Sequence, residues 1–144
     1  MRVLFLDIDG VLNREGYRPA QSLGLRSWIE AELAARLCDV LRVIDAEIVV
    51  SSDWRRGRDL ELLRGELGAA GIDAPVIAAT PEIQGPRWRE IQSWMTEHGR
   101  SAHQIAIIDD FHDMGPLMSR FVRVSPLNGL DGDAAKALLA LFEA

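Results

Sequence analysis

The chain has 144 residues, 48% hydrophobic and 26% charged, a length and balance that predict one globular domain, 1–144, with a core of its own. A formal net charge of −6 excludes the broad basic footprint of a non-specific nucleic-acid binder while leaving room for a local basic groove, and no apolar stretch approaches the roughly 20 residues of a membrane span. One cysteine, Cys38, rules out an internal disulfide, and the first apolar run stops at Asp7, too soon for a secretory signal. A cytoplasmic protein is expected, with no membrane contact and no obligate protein partner evident.

Val3 to Ile8 is almost wholly apolar, the pattern of a strand buried on both faces. Residues 11–28 lack a helical pattern and read as a flap. From Ile29 to Ile44 the residues Ile29, Leu33, Leu37, Val40, Leu41 and Ile44 recur at helical spacing, with Cys38 as a small core residue among them. Glu47 to Ser52 reads as a second buried strand, and a helix follows from about Arg58 to Leu67, with Gly68 as its predicted stop. Pro75 to Ala79 is a third strand. Pro86 suits the first turn of a helix running to His98 and ended by Gly99. Gln104 to Ile108 and Phe121 to Val124 complete the strands, and Asp131 or Asp133 can cap a last helix containing Leu138, Leu141 and Phe142. This alternation predicts the α/β class: a doubly wound, Rossmann-like, mostly parallel five-stranded sheet with helices on both faces.

In such sheets ligands bind beyond the carboxyl ends of the strands. The first strand ends in Asp7-Ile8-Asp9-Gly10, the second in Ser51-Ser52-Asp53-Trp54-Arg55-Arg56, and the fourth in Asp109-Asp110, while Arg87 and Arg89 open the helix after the third. Four carboxylates gathered on one edge repel, each pair by roughly 4 kcal/mol at 4 Å with an effective dielectric near 20. A cation relieves this, and hard oxygen donors with no cysteine or histidine cluster favour Mg2+ over zinc. Arginines beside such a metal supply bidentate contacts to phosphate. The residues therefore point to a phosphorylated substrate.

Asp7-Ile8-Asp9-Gly10-Val11-Leu12 resembles the first motif of the haloacid dehalogenase (HAD) superfamily of phosphohydrolases. Ile48-Val49-Val50-Ser51 resembles the second motif and Ile107-Ile108-Asp109-Asp110 the fourth, with Arg87 or Arg89 in place of the third. Ser51-Ser52-Asp53-Trp54-Arg55 with Arg87-Trp88-Arg89-Glu90-Ile91 more narrowly resembles a small HAD subgroup associated with RNA repair and polynucleotide-end processing. The resemblance implies a Mg2+-dependent phosphatase working through an aspartyl phosphate. In it Asp7 is the nucleophile, Asp9 the proton-transfer partner, Ser51 a phosphoryl-oxygen donor and Arg87 the stabilising cation. Asp109, Asp110, the Asp7 side chain and the Asp9 carbonyl would hold the metal, with Asp113 as an alternative to Asp110. Gly10, Ser52 and Arg55 are the expected substrate-binding residues.

Only a loop separates the third strand from Arg87, and the flap after the first is short, so no cap domain is expected. An open site suits a large substrate such as a nucleic-acid end, or a nucleotide. Arg55, Arg56, Arg58, Arg87 and Arg89 would flank it, with Arg14, Tyr17 and Arg18 on the flap. A receiver domain fails on motif order, since its paired acids follow the first strand. A metal-dependent nuclease does not require Ser51 or Arg87, and a non-catalytic phosphate-binding module does not require both Asp7 and Asp9.

Overall fold

A strand that is apolar at every position needs cover on both faces, and the connections here supply it. The computed structural model describes residues 1–143. Its elements are β1 Arg2–Leu6, α1 Ala31–Ile44, β2 Ala46–Val50, α2 Leu60–Ala69, β3 Val76–Ala79, α3 Arg87–Glu97, β4 Ile105–Asp109, β5 Phe121–Arg123 and α4 Gly132–Ala140. The five strands pair in the order β3-β2-β1-β4-β5, and all four pairings are parallel, where the sequence predicts a mostly parallel sheet.

The pleat divides the apolar residues between two layers. Leu4, Leu6, Ile48, Val50, Ala106 and Ile108 face α1, α2 and α4. Val3, Phe5, Val49, Ile105 and Ile107 face α3, where Trp94 meets the Phe5 ring edge-to-face at 5.5 Å. Each layer excludes water from one side of β1 and β4, which lie at the centre. They are also where the winding reverses, since β2 and β3 extend the sheet to one side of β1, and β4 and β5 to the other. A crevice at the carboxyl ends of β1 and β4 follows from that reversal.

Helix ends differ from the sequence reading by a few residues, for local reasons. Asp59 accepts a hydrogen bond from the Leu62 N–H at 2.8 Å, so α2 starts at Leu60 rather than near Arg58. The helix also runs past Gly68, and the left-handed residue behind it is Gly71, with φ of 100°. Asp131, not Asp133, caps α4, accepting from the Ala134 N–H at 2.9 Å. Residues 11–24 form no helix or strand of more than one bridge, and a short 3₁₀ turn, Leu25–Trp28, leads into α1. The connections after β1 and β3 thus carry no cap, and the crevice is open. No helix is long and apolar enough to cross a membrane among the described residues.

Candidate active site

Strand parity aligns the chemistry. Val3 and Phe5, Val49, and Ile105 and Ile107 all point into the α3 layer. Two residues further on, the same face carries Asp7, Ser51 and Asp109. Pairing of Leu6 with both Val50 and Ile108 sets Asp7 between Ser51 and Asp109. The Ser51 N–H donates to the Leu6 carbonyl at 2.9 Å, and the Asp7 N–H to that of Ile108 at 3.1 Å, so ladder bonds hold the row beyond the strand ends.

Arg87, the first residue of α3, closes this row from the helix side. Its Nη1 lies 3.9 Å from Asp7 Oδ1, its Nε 3.4 Å from Asp109 Oδ2 and its Nη2 3.5 Å from Asp53 Oδ1. Arg89 points elsewhere, on the exposed face of α3, with its guanidinium 5.6 Å from the Trp88 ring centre. Carboxylate oxygens of Asp7, Asp109 and Asp110 come within 4.8 Å of one another. Asp113 stands outside that cluster, exposed, and accepts from the Gly115 N–H at 2.8 Å.

Burial first, and then the neighbouring Asp109 charge, push the Asp7 carboxyl up to about 9, against the opposing pull of Arg87. Burial raises Asp109 as well. One Asp109 oxygen accepts from the Phe111 N–H at 2.9 Å; the other is buried without a hydrogen-bond partner, as are Ser51 Oγ and Arg87 Nη1. Two buried acids that burial makes costly to ionise, with Asp110 beside them and one Asp109 oxygen without a hydrogen bond, are a donor set that fits a hard divalent cation. Gly10 is what lets Asp110 join. Its φ is 82°, and an added β-carbon would fall onto the Asp110 carboxylate, 2.9 Å from its carboxyl carbon.

Asp9 is exposed and held from two sides. Asn13 Nδ2 donates to one carboxylate oxygen at 3.0 Å, and the Trp54 indole N–H donates to the other at 3.1 Å. Asn13 Oδ1 is occupied by the Gly10 N–H at 2.9 Å, which fixes the amide with its NH2 toward Asp9. Sequence reasoning missed Asn13. The spacing of Asn13, four residues after Asp9, is compatible with the contact but does not single it out.

Two expected substrate contacts are built into the wall instead. Ser52 is buried, and its hydroxyl accepts from the Trp54 N–H at 3.1 Å, capping the turn after β2. Arg55 is 5% exposed and engaged at each of its three guanidinium nitrogens: it pairs with the buried Glu90 of α3, and donates to the Thr80 carbonyl at 3.0 Å and the Ser52 carbonyl at 2.9 Å. A buried guanidinium needs those acceptors, and its burial leaves little of it for phosphate to reach. Arg56 pairs with Asp53 at 3.1 Å and Glu82 at 3.4 Å, and Arg58 donates to the Trp54 carbonyl, so the flanking arginines are largely balanced by local acceptors.

The family described as the HAD domain in Swiss Army Knife RNA repair proteins matches residues 3–135, a span that includes every residue of this cluster. Comparison with curated proteins and with solved structures returns no match.

Proposed function

We propose, because this chain belongs to the HAD domain family of Swiss Army Knife RNA repair proteins, that its phosphohydrolase-type module is an active Mg2+-dependent phosphomonoesterase. The observation that carries the reading is the trio of buried polar atoms around Asp7 that lack a hydrogen bond: Ser51 Oγ, and Arg87 Nη1 and Asp109 Oδ2, which have only longer ion-pair contacts. Buried polar atoms are rarely left unsatisfied, and a tetrahedral dianion with its cation would satisfy all three.

In the proposed reaction an Asp7 oxygen attacks phosphorus and the bond to the leaving oxygen breaks, giving an aspartyl phosphate. Asp9 gives its proton to the leaving oxygen, then takes one from the water that attacks phosphorus and restores Asp7. Trp54 and Asn13 keep the Asp9 carboxyl at the mouth of the site. Ser51 donates to a phosphoryl oxygen, and Arg87 offsets the charge that develops there. Magnesium held by Asp7, Asp109, Asp110 and the Asp9 carbonyl would neutralise the carboxylates and a phosphate oxygen. The uncapped edge suits a large phosphorylated substrate, such as a nucleic-acid end or a nucleotide.

The test is phosphate release from p-nitrophenyl phosphate with magnesium. Turnover abolished by chelation and by Asp7→Asn supports the reading. Tight binding of a phosphate analogue without turnover would make the chain a binding module, and cleavage of an unphosphorylated oligonucleotide that survives Asp7→Asn would make it a nuclease.

A further inference from the structure

Beside the acidic row the flap encloses a cleft of about 320 Å³. Asp9 and Asp110 form part of its floor, and Tyr17, Arg18, Trp28 and Pro126 stand around it. A leaving oxygen that takes its proton from Asp9 must carry its substituent into the space that the Asp9 carboxyl faces. That carboxyl is held by Asn13 and Trp54, so the direction is built in.

The walls are fixed as well. The Arg14 N–H donates to Glu30 at 2.7 Å, the Glu15 N–H to the Pro126 carbonyl at 2.8 Å, and Asn13 to the Trp28 carbonyl at 2.9 Å. The Tyr17 hydroxyl donates to the Ser27 carbonyl at 3.3 Å, which ties the two arms of the flap across the cleft. The ligand therefore meets a standing recess.

Its lining has a definite chemistry. Tyr17 and Trp28 are half-buried rings, and Trp28 also packs on the core. Arg14 is committed to Glu30 at 3.5 Å and Glu32 at 2.5 Å, whereas Arg18 is exposed and makes no ion pair among the described residues. Two aromatic rings and one uncommitted planar cation suit a flat base followed by a phosphate. An acyclic polyol phosphate offers the rings no flat face to stack.

We infer that this flap cleft is the leaving-group subsite and takes the terminal nucleoside of a phosphorylated strand, its base against Tyr17 and Trp28 and its next phosphate on Arg18. The inference rests on the phosphatase reading above, so its test reads binding rather than turnover. Asp7→Asn protein in magnesium buffer is titrated with labelled trinucleotides phosphorylated at either end, with an abasic counterpart, with a nucleoside monophosphate and with a phosphotyrosyl peptide. The expected result is that one trinucleotide binds on the order of tenfold tighter than its abasic form. Arg18→Ala, an exposed change that leaves the fold intact, should weaken the trinucleotide about fivefold and the mononucleotide less, as loss of one phosphate contact requires. Tyr17→Leu should weaken both by about tenfold.

Equal affinity for base-bearing and abasic ligands, or no effect of Arg18→Ala, overturns the inference. So does tighter binding of the phosphotyrosyl peptide, which would assign the rings to a protein substrate. Failure of the two readings is distinguishable. Wild-type protein that turns over no phosphomonoester, while trinucleotide binding still depends on the base and on Arg18, sinks the phosphatase and leaves the cleft as a nucleoside-binding site. Turnover of glycerol phosphate and oligonucleotide with the same KM, in wild type and in both variants, sinks the subsite alone.

Discussion

Ser51 is fully buried, and its hydroxyl meets no partner within the protein. An unsatisfied buried polar atom costs about 1–3 kcal/mol, so removing it should be neutral or slightly stabilising. Ser51→Ala is therefore expected to keep or raise the melting temperature while lowering kcat by about a hundredfold, the usual loss for one donor to a developing charge. Calorimetry beside phosphate release checks both halves; a destabilised variant with full turnover would make Ser51 structural. Trp54 makes a different kind of claim, because its indole N–H reaches a carboxylate 45 residues away in sequence. Trp54→Phe keeps most of the buried ring and deletes that donor. The expected loss is about tenfold in kcat for an alkyl phosphate, whose poor leaving group needs a well-placed proton, and less for p-nitrophenyl phosphate. An equal loss for both substrates would mean that Trp54 acts through packing instead.

The turn after β2 and the start of α3 work as one element, joined by Arg55 and Glu90. Arg55 ties the Ser52 and Thr80 carbonyls to α3, and Glu90 lies three residues beyond Arg87, on the same side of the helix. Breaking a buried pair by removing one partner costs about 3–5 kcal/mol, since the other charge is left uncompensated. Arg55→Ala should cost stability on that scale, and the Arg55→Met, Glu90→Leu double variant should lose less than either single change. Chemical denaturation measures all three; an Arg55→Ala protein of full stability and raised KM would return Arg55 to the substrate. The same element shows what was legible in the sequence. The strands were, because Ile48-Val49-Val50 and Ile105-Ala106-Ile107-Ile108 are apolar on both faces and admit one interpretation. The row of Asp7, Ser51 and Asp109 was too, since position after each strand and strand parity place them together. Arg55 was not, because nothing in Ser-Asp-Trp-Arg tells a guanidinium aimed at phosphate from one aimed at Glu90, 35 residues on. Asn13 was hidden for the same reason: its role depends on how the flap folds back over Asp9.

At the scale of the whole molecule the acids at the crevice link folding to pH. Asp7 is pushed from its ordinary 3.8 up to about 9 in the folded protein, mainly by burial and then by Asp109. Between those values the folded chain holds a proton that the unfolded chain has released. Stability from this residue is therefore complete below pH 3.8 and is lost progressively as pH rises toward 9. Asp109, raised by burial, acts in the same direction. Asp7→Asn removes the titrating group and keeps its shape. In metal-free buffer the variant should melt with the wild type near pH 4 and above it by several degrees at pH 8, with the gap widening between. Magnesium reverses the order, because a cation among Asp7, Asp109 and Asp110 competes with the same protons. Binding at a hundred times Kd contributes about 2.7 kcal/mol. Wild-type protein should therefore gain several degrees in excess magnesium, by more at pH 8 than at pH 5, and Asp7→Asn should gain little. Thermal melts over pH 4–8.5, with and without magnesium, give the whole comparison without any substrate. A wild type indifferent to magnesium at every pH, and no less stable than Asp7→Asn at pH 8, would separate this acidic row from cation binding and remove the electrostatic basis for Asp7 as an ionised nucleophile.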